Sequence, residues 1–475
     1  MNAPSVPRVA VVGAGIAGLA AARAVREARP DVEVVVLDAA DRVGGKLRLA
    51  EVGGVTLDVG AESMLNRRPE AVALARSAGL ADRIVHPATI AATVWSRGAL
   101  HRLPRSLLGV PAGPRVVADA AVLSRAGRAR ALLDTVLPPY RPEEDVSIGD
   151  LVERRCGAEV VDRLVEPLLG GVYAGHAREI SAGAAAPQLV AKLREHGRLL
   201  RAASAAVSPP DDSTPVFAGL AGGVGQLPAA VARNLDVRTG TTVRALERIE
   251  GGRWRLVTGP VPAPEVVEAD AVVVAVPAAP SARLLRDVAP AASTDLDAIE
   301  YASMAVVTTA FRRTDFPGVA GSGFLVPPVD GRRIKASTFA FRKWGWVDAA
   351  SEELVLVRTS IGRHREEAAL QVPDEELVAA SVADLGAAVG LRAAPVDHHV
   401  QRWGGGLPQY AVGHPDRVRR IRASVAEVPG LAVCGAAYDG LGIPACIASG
   451  QRAAREVLDR LPTTTPSPAH ERMDP

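Results

Sequence analysis

Residues 8–46 constrain this chain more than any other stretch. Arg8 to Val12 is a short β-branched run and reads as a buried strand. Gly13, Ala14, Gly15, Ile16, Ala17 and Gly18 follow at once, then an alanine-rich helical pattern to about Arg29. Glu33 to Leu37 reads as a second buried strand with Asp38 at its end. Strand, glycine turn, helix, strand and acid make up the context in which such glycines bind a dinucleotide. Gly13 permits the tight turn, Gly15 lets the backbone approach a pyrophosphate, and Gly18 lets the helix lie close to the strand. The first helical turn offers unpaired N–H groups and partial positive charge to the phosphates. Asp38 can accept hydrogen bonds from ribose hydroxyls.

The remaining bounds are broad. A chain of 475 residues predicts two or three domains. A formal charge of +2 argues against a dedicated nucleic-acid binder. Cys156, Cys434 and Cys446 are odd in number and widely spaced, so neither a disulfide framework nor a zinc site is expected. His398 and His399 are adjacent on a strand pattern, point to opposite faces and make a poor metal chelate. The opening MNAPSVPRVAVV has no basic segment followed by an apolar one, and no uninterrupted apolar run is long enough to span a bilayer. These features predict a cytoplasmic protein, at most peripheral to the inner face of the membrane.

Along the chain, Arg42-Val43-Gly44-Gly45-Lys46 adds a second glycine turn, and Val52 to Gly60 reads as a hairpin leading into Gly60-Ala61-Glu62-Ser63. A helix is expected from about Pro69 to Ala78, and a hairpin at Val94 to Leu103 centred on Arg97-Gly98. Patterns to about Ala206 are mainly helical, with breaks at Pro111, Pro114, Pro138-Pro139 and Gly170-Gly171, and a Ser147 cap. Within this insertion, residues 97–130 hold Arg97, Arg102, Arg105, Arg115, Arg125, Arg128 and Arg130 against the single acid Asp119. They read as a solvated helix face or as a surface that touches anionic lipid. Val207 to Pro215 has linker composition, Phe217 to Leu227 reads as a glycine-rich loop, and Val237–Leu246, Trp254–Val257 and Asp270–Val276 read as strands. Tyr301 to Gly362 alternates as an antiparallel sheet, Pro373 to Val389 is an acidic helix, and His398 to Trp403 a strand turning at Leu407-Pro408. Leu431 to Gly435 and the turn to Ile443 begin a second strand–glycine turn–helix unit. The tail from Pro462 has disorder composition.

The acid followed by R-x-GG-K resembles the FAD-dependent amine-oxidase superfamily. LDVGAES (57–63), EPLLGGVYAG (166–175), LAGGVGQLP (220–228), WGGGLPQYAVGH (403–414) and CGAAYDGLGIPACI (434–447) resemble the HemY-type porphyrinogen oxidases, and EPLLGGVYAG, LPQYAVGH and YDGLGIPACI are the more specific of them. This resemblance spans residues 8 to about 461. It implies an α/β fold: a Rossmann-type FAD-binding domain (1–50, 216–285, 425–461), a mixed-sheet substrate domain (51–93, 286–424) and a helical insertion (94–215). It further implies FAD as cofactor, a tetrapyrrole substrate, dioxygen as electron acceptor and transient contact with the next haem-pathway enzyme.

By the same resemblance, the FAD contacts are Gly13, Ala14, Gly15, Ile16, Ala17 and Gly18 at the pyrophosphate and Asp38 and Ala39 at the ribose. Arg42, Gly45 and Lys46 lie by the phosphates, and Val243 by adenine. Gly60, Ala61, Glu62, Ser63, Trp403, Leu441, Gly442 and Ile443 lie around the flavin. Gly171 borders the substrate cavity. No catalytic side chain is implied, because the flavin accepts the hydride. Arg67, Arg68, Lys335 and Lys343 are candidate substrate-carboxylate partners, with surface charge as the simpler reading. Plant and animal protoporphyrinogen oxidases carry a propionate-binding arginine where this chain has Ala92. That departure favours the Gram-positive branch, which acts on coproporphyrinogen III. Protoporphyrinogen IX oxidase, another amine oxidase or desaturase, and a flavin-free binding protein remain the alternatives.

Overall fold

The computed structural model describes residues 6–207 and 215–461. The expected disordered tail and nearly all of the expected linker after Val207 lie outside them.

Five strands form a parallel sheet in the order Asp236–Arg238, Glu33–Leu37, Arg8–Val12, Ala271–Val274, Leu431–Val433. In chain order these are the third, second, first, fourth and fifth, which is the Rossmann arrangement. Because successive strand residues face opposite ways, two cores form. Val9, Val11, Val34 and Val36 pack under the helices Ile16–Ala28 and Ile443–Leu458. Ala10, Val12, Val35 and Leu37 pack with Trp254 and the helices Ala278–Leu285 and His414–Ala426. The third and fourth strands are bridged by an antiparallel meander, Ala245–Arg248, Trp254–Thr258 and Glu265–Ala269. The single strand expected over Val237–Leu246 is thus divided; Gly240, at φ 64°, turns the chain between sheets.

A second sheet has seven strands, in the order Asp397–Pro408, Tyr301–Arg312, Leu354–Ile361, Ile334–Phe339, Gly323–Leu325, Ala92–Ser96, Ala99–Arg102. All pairs are antiparallel except Gly323–Leu325 with Ala92–Ser96. One face carries Val307, Val357, Ile361 and Phe339 and packs on the helix Asp374–Val389. The other face carries two rows fixed by register. Val94, Leu325, Ala336, Ser360, Val306 and Gln401 make one, and Ala92, Gly323, Thr338, Arg358, Thr308 and His399 the other.

Between the first two strands of the second sheet and the rest of it runs the helical segment, with its own core around Leu151, Val161, Leu164, Leu189 and Leu200. Four expectations change here and nearby. The helix Glu166–Tyr173 runs straight through Gly170-Gly171, held by buried Pro167, Leu169 and Tyr173. Phe217–Leu220 is a strand, paired with Met64–Leu65 and Ile84–Val85, not loop. Leu407 and Pro408 continue the strand Asp397–Pro408 instead of turning, and pair with Ala302 and Tyr301. Several of the arginines in 97–130 are structural ties. Arg97 donates to Val122 O at 2.7 Å and pairs with Glu159, Arg128 donates to Ala118 O at 3.0 Å, and Arg130 donates to the carbonyls of Glu153, Arg154 and Arg155 that end a helix. No helix among the described residues is long and apolar enough to cross a membrane.

Candidate active site

The two glycine turns of the N-terminal unit lie against each other. Gly13 has φ 112°, and a Cβ there would sit 2.9 Å from Ala275 O. A Cβ on Gly18 would lie 1.9 Å from Gly13 O, so only glycine lets the helix pack this close. A Cβ on Gly15 meets nothing within 4 Å: this glycine faces open space. The second turn supports the first, with Gly44 N–H donating to Ala14 O at 2.8 Å and Gly45 at φ 56° facing Gly15. Arg42 has a structural part in this. Its guanidinium donates to the carbonyls of Val43, Gly45 and Leu47 and so winds the turn around itself. Lys46 extends inward, its Nζ 5.8 Å from the centre of the Tyr301 ring, and burial lowers its pKa.

Asp38 is tied to the same turn: its carboxylate accepts from Ala14 N–H at 2.5 Å and Ala40 N–H at 2.8 Å. Ala39 beside it is exposed. Thr241 N–H donates to Asp38 O at 2.7 Å, which brings Val243 to this end of the sheet. Among the described residues the peptide N–H and C=O of Val243 have no partner.

The C-terminal unit repeats the geometry. Gly15 and Gly442 are both extended N-cap residues, at φ −68° and −65°, and neither helix has a side-chain cap on its first N–H groups. Both helices follow parallel strands of one sheet, so both N-termini lie at its carboxyl edge, where this fold binds ligands. Ile443 is buried in the core, so it offers its backbone, while Leu441 packs against the core of the helical segment. The turn is clamped by a residue from elsewhere. Tyr410 Oη accepts from Gly440 N–H at 2.9 Å and donates to Ala436 O at 2.5 Å. Tyr410 stacks on His414 with centroids 4.0 Å apart and meets Tyr173 edge-on. Gln409 Nε2 donates to Tyr173 O at 2.8 Å. The three most specific motif segments, around 173, 410 and 440, therefore meet at one place. Asp439 is no free acid: although its burial opposes ionisation, Arg422 and Arg452 hold its carboxyl below its ordinary value.

The turn Gly60–Ser63 lies over the seven-stranded sheet. A Cβ on Gly60 would fall 2.1 Å from Lys46 O and 3.1 Å from Trp403 Cζ2, so Trp403 stands edge-on to this turn. Its Nε1 donates to Val59 O at 3.2 Å, and it is half-buried, not a core aromatic. Ala61 is exposed and Ser63 half-buried. Glu62 is bound on both oxygens, by Lys343 Nζ at 2.6 Å and Arg358 Nη1 at 2.5 Å. Burial alone would raise its carboxyl, but these two cations hold it at about 2.

The candidate lysines therefore change meaning. Lys343 is the partner of Glu62, not surface charge. Lys335 is 1% exposed; its Nζ donates to Gly362 O at 2.9 Å, and burial pushes its pKa down to about 7. Arg68 pairs with Glu70 at 2.6 Å, and Arg67 is exposed. Arg358 was not legible as a site residue, although the pattern LVLVRTSI carries one signal, a single charge in an apolar strand.

On the same sheet face lies the helix Glu166–Tyr173. A Cβ on Gly171 would meet only Leu325 Cδ2, at 3.7 Å, and one on Gly170 would meet nothing within 4 Å. Gly171, the turn Gly60–Ser63, Trp403 and Ala92 thus lie on one face of the sheet. In the row of that face nearest Gly171, Leu325, Ala336 and Val306 are apolar, Ser360 and Gln401 are polar, and Val94 is buried in the core of the helical segment.

A Rossmann sheet, paired glycine turns and uncapped helix N-termini beside a mixed-sheet wall define an α/β flavoprotein. The chain belongs to the flavin-containing amine oxidoreductase family, whose model matches residues 16–458. It is 39% identical to the coproporphyrinogen III oxidase of Mycobacterium leprae, over 93% of this chain and 96% of that one. It is 30% identical to the coproporphyrinogen III oxidase of Bacillus subtilis, over 95% of this chain and 98% of the other. Among solved structures, a protein from Exiguobacterium described as a protoporphyrinogen oxidase superposes with a TM-score of 0.84 at 30% identity, covering 95% of this chain and 99% of its own. The expected fold and family are borne out.

Proposed function

We propose that the chain is a FAD- and oxygen-dependent coproporphyrinogen III oxidase. The reaction removes six electrons and six protons from coproporphyrinogen III, in three two-electron steps, to give coproporphyrin III. Three dioxygen molecules become three of hydrogen peroxide. The observation that carries this reading is the 39% identity, over 93% of the chain, to a coproporphyrinogen III oxidase; the substrate slot is read on the sheet face shared by Gly171, Trp403 and the turn Gly60–Ser63.

FAD fits the residues present. Gly15 faces open space, both helix N-termini are uncapped, and the Val243 peptide is unpaired. In this reading Gly13 to Gly18, Asp38, Ala39, Gly45, Lys46 and Val243 hold the adenosine and pyrophosphate, and Gly60 to Ser63, Trp403 and Leu441 to Ile443 hold the isoalloxazine. When bound, FAD supplies the hydride acceptor. The chain's own contribution is to orient the ring and exclude water. The N–H groups at Gly442 and Ile443 place partial positive charge where negative charge develops. The acids near the turns, Glu62, Asp58 and Asp439, are all engaged by cations or backbone N–H groups. In this reading these acids serve the fold, and substrate protons pass to solvent.

Ala92 stands on the slot-facing row of the sheet, which argues against the anchoring mode of the plant and animal enzymes. The test supplies the FAD-loaded protein with coproporphyrinogen III and protoporphyrinogen IX in parallel, following porphyrin fluorescence and peroxide. Faster turnover of coproporphyrinogen, with one peroxide per two electrons, is expected. A clear preference for protoporphyrinogen overturns the assignment.

A further inference from the structure

The strand Leu354–Ile361 is paired on both sides, and Arg358 lies in its middle, 8% exposed. Charge is rarely buried at such a position without a partner to compensate it. Its neighbours across the sheet, Thr308 and Thr338, supply no charge. The guanidinium leaves the sheet for the turn above. Nη2 donates to Gly60 O at 2.6 Å and Nη1 to Glu62 Oε2 at 2.5 Å. One planar fork therefore holds two points of the turn, Gly60 and Glu62, a task that Lys, with a single point of charge, cannot perform. Nε–H is left buried without a partner, so the side chain is aimed at the turn and not at satisfying its own donors. Lys343 reaches Glu62 from the other oxygen and does not touch Gly60.

We propose that Arg358 is a positioning residue for the flavin: acting through Gly60 and Glu62, it sets the height of the Gly60–Ser63 turn beneath the isoalloxazine. This rests on the cofactor reading given above. The bracket joins the seven-stranded sheet to that turn, so it also fixes the distance between the flavin and the substrate floor. Arg358 faces the slot from the same row as Ala92, but both Nη groups hold the turn and Nε–H is buried, so it is not a substrate-carboxylate anchor.

The experiment compares wild type, Arg358→Lys, Glu62→Gln and the double variant as full chains. FAD dissociation constant, flavin absorbance, flavin reduction potential and the melting temperature of the FAD-free chain are measured for each. Arg358→Lys is expected to weaken FAD at least tenfold and to move the visible flavin bands and the potential. Glu62→Gln, which keeps size and an acceptor, is expected to move them in the same direction by less. The double variant is expected to lose less than the product of the single losses, because the two groups act as a unit. A Lys343→Met variant should weaken FAD less than Arg358→Lys. Variants that lower only the FAD-free melting temperature, with unchanged flavin affinity, bands and potential, overturn the proposal. If Arg358→Lys does not fold, Glu62→Gln decides by the same criteria. A wild-type chain that takes up no flavin overturns the cofactor reading, and this inference with it.

Discussion

The first and last strand–turn–helix units, residues 8–28 and 431–458, share one geometry and differ in what holds it. Both end in an extended glycine N-cap with open N–H groups, and their helices touch, with a Cβ on Gly450 falling 2.1 Å from Ala17 O. The first is made by near neighbours. Gly13 and Gly18 press on each other and on Ala275, and the 42–46 turn backs the loop through Gly44. The last is held by side chains from outside it, Tyr410 on Gly440 and Ala436 and Arg422 on Asp439, joined by Arg452 of its own helix. A unit whose shape is steric and local stands apart from its surroundings. A unit clamped from the substrate side can report on what binds there.

Substitutions can break this contrast, beginning with the largest effect. Gly18→Ala places a methyl 1.9 Å from Gly13 O, so turn or helix must move. A loss of about 3 kcal/mol or more in stability is expected, as for other overpacked cores, together with loss of flavin. Gly15→Ala meets nothing within 4 Å, so the chain should fold normally and fail only in FAD affinity. Thermal melts with and without FAD separate the two. Equal loss of stability in both variants would contradict the distinction between a packing glycine and a contact glycine.

In the last unit, Tyr410→Phe removes one hydroxyl and strands two polar groups, Gly440 N–H and Ala436 O. A loss of about 1–3 kcal/mol is expected. The perturbation should spread along Gln409 and Tyr173 to the helix bearing Gly171, so the porphyrinogen KM should rise along with flavin loss. An effect on flavin alone would make this unit as local as the first.

The contrast also explains what could be read from the sequence. The first unit was legible because the glycines that its steric contacts demand are written in one stretch of 39 residues, although one of the atoms they press on, Ala275, is remote. The strand, turn and helix of the last unit were legible for the same reason, but the clamps of Tyr410 and Arg422 were not, since nothing in a linear pattern says which remote hydroxyl or guanidinium returns to a turn. Lys335 and Lys343 were misread as surface charge because burial is decided by position in the fold, on a strand inside the sheet for Lys335 and at the end of a helix facing Glu62 for Lys343. Gly170-Gly171 was misread as a break because the helix cost of about 1 kcal/mol per glycine is offset by packing of Pro167, Leu169 and Tyr173.

Asp439 gives a smaller, pH-dependent effect. Its folded pKa lies below the ordinary carboxylate value, so its stabilisation is present above that value and is lost as pH falls through the folded one. Asp439→Asn should destabilise the chain by about 0.5–1 kcal/mol at pH 7, a modest figure because the carboxylate is 32% exposed and screened by solvent. The difference from wild type should shrink as acid protonates the native carboxyl. Melts from pH 7 to pH 3 check it, and a gap that widens toward low pH would reverse the sign and remove the ion pairs as its cause.

Gly171→Ala is expected to change stability least of all, and in the opposite direction. The new methyl makes only an ordinary contact, 3.7 Å from Leu325 Cδ2, and Gly171 lies inside a helix at a negative φ. Replacing helical glycine by alanine should therefore stabilise the chain by about 0.5–1 kcal/mol. The same methyl projects toward the sheet floor at Leu325, where the substrate ring is proposed to lie. KM for coproporphyrinogen should rise several-fold while the flavin spectrum and FAD affinity stay as in wild type. Gly15 and Gly171 then form a matched pair: a methyl on either is tolerated, meeting nothing within 4 Å at Gly15 and one ordinary contact at Gly171, and each substitution spares the fold while harming a different ligand. If Gly171→Ala leaves KM unchanged, the bare helix face does not border the ring, and the slot must be sought on another wall of the same sheet face.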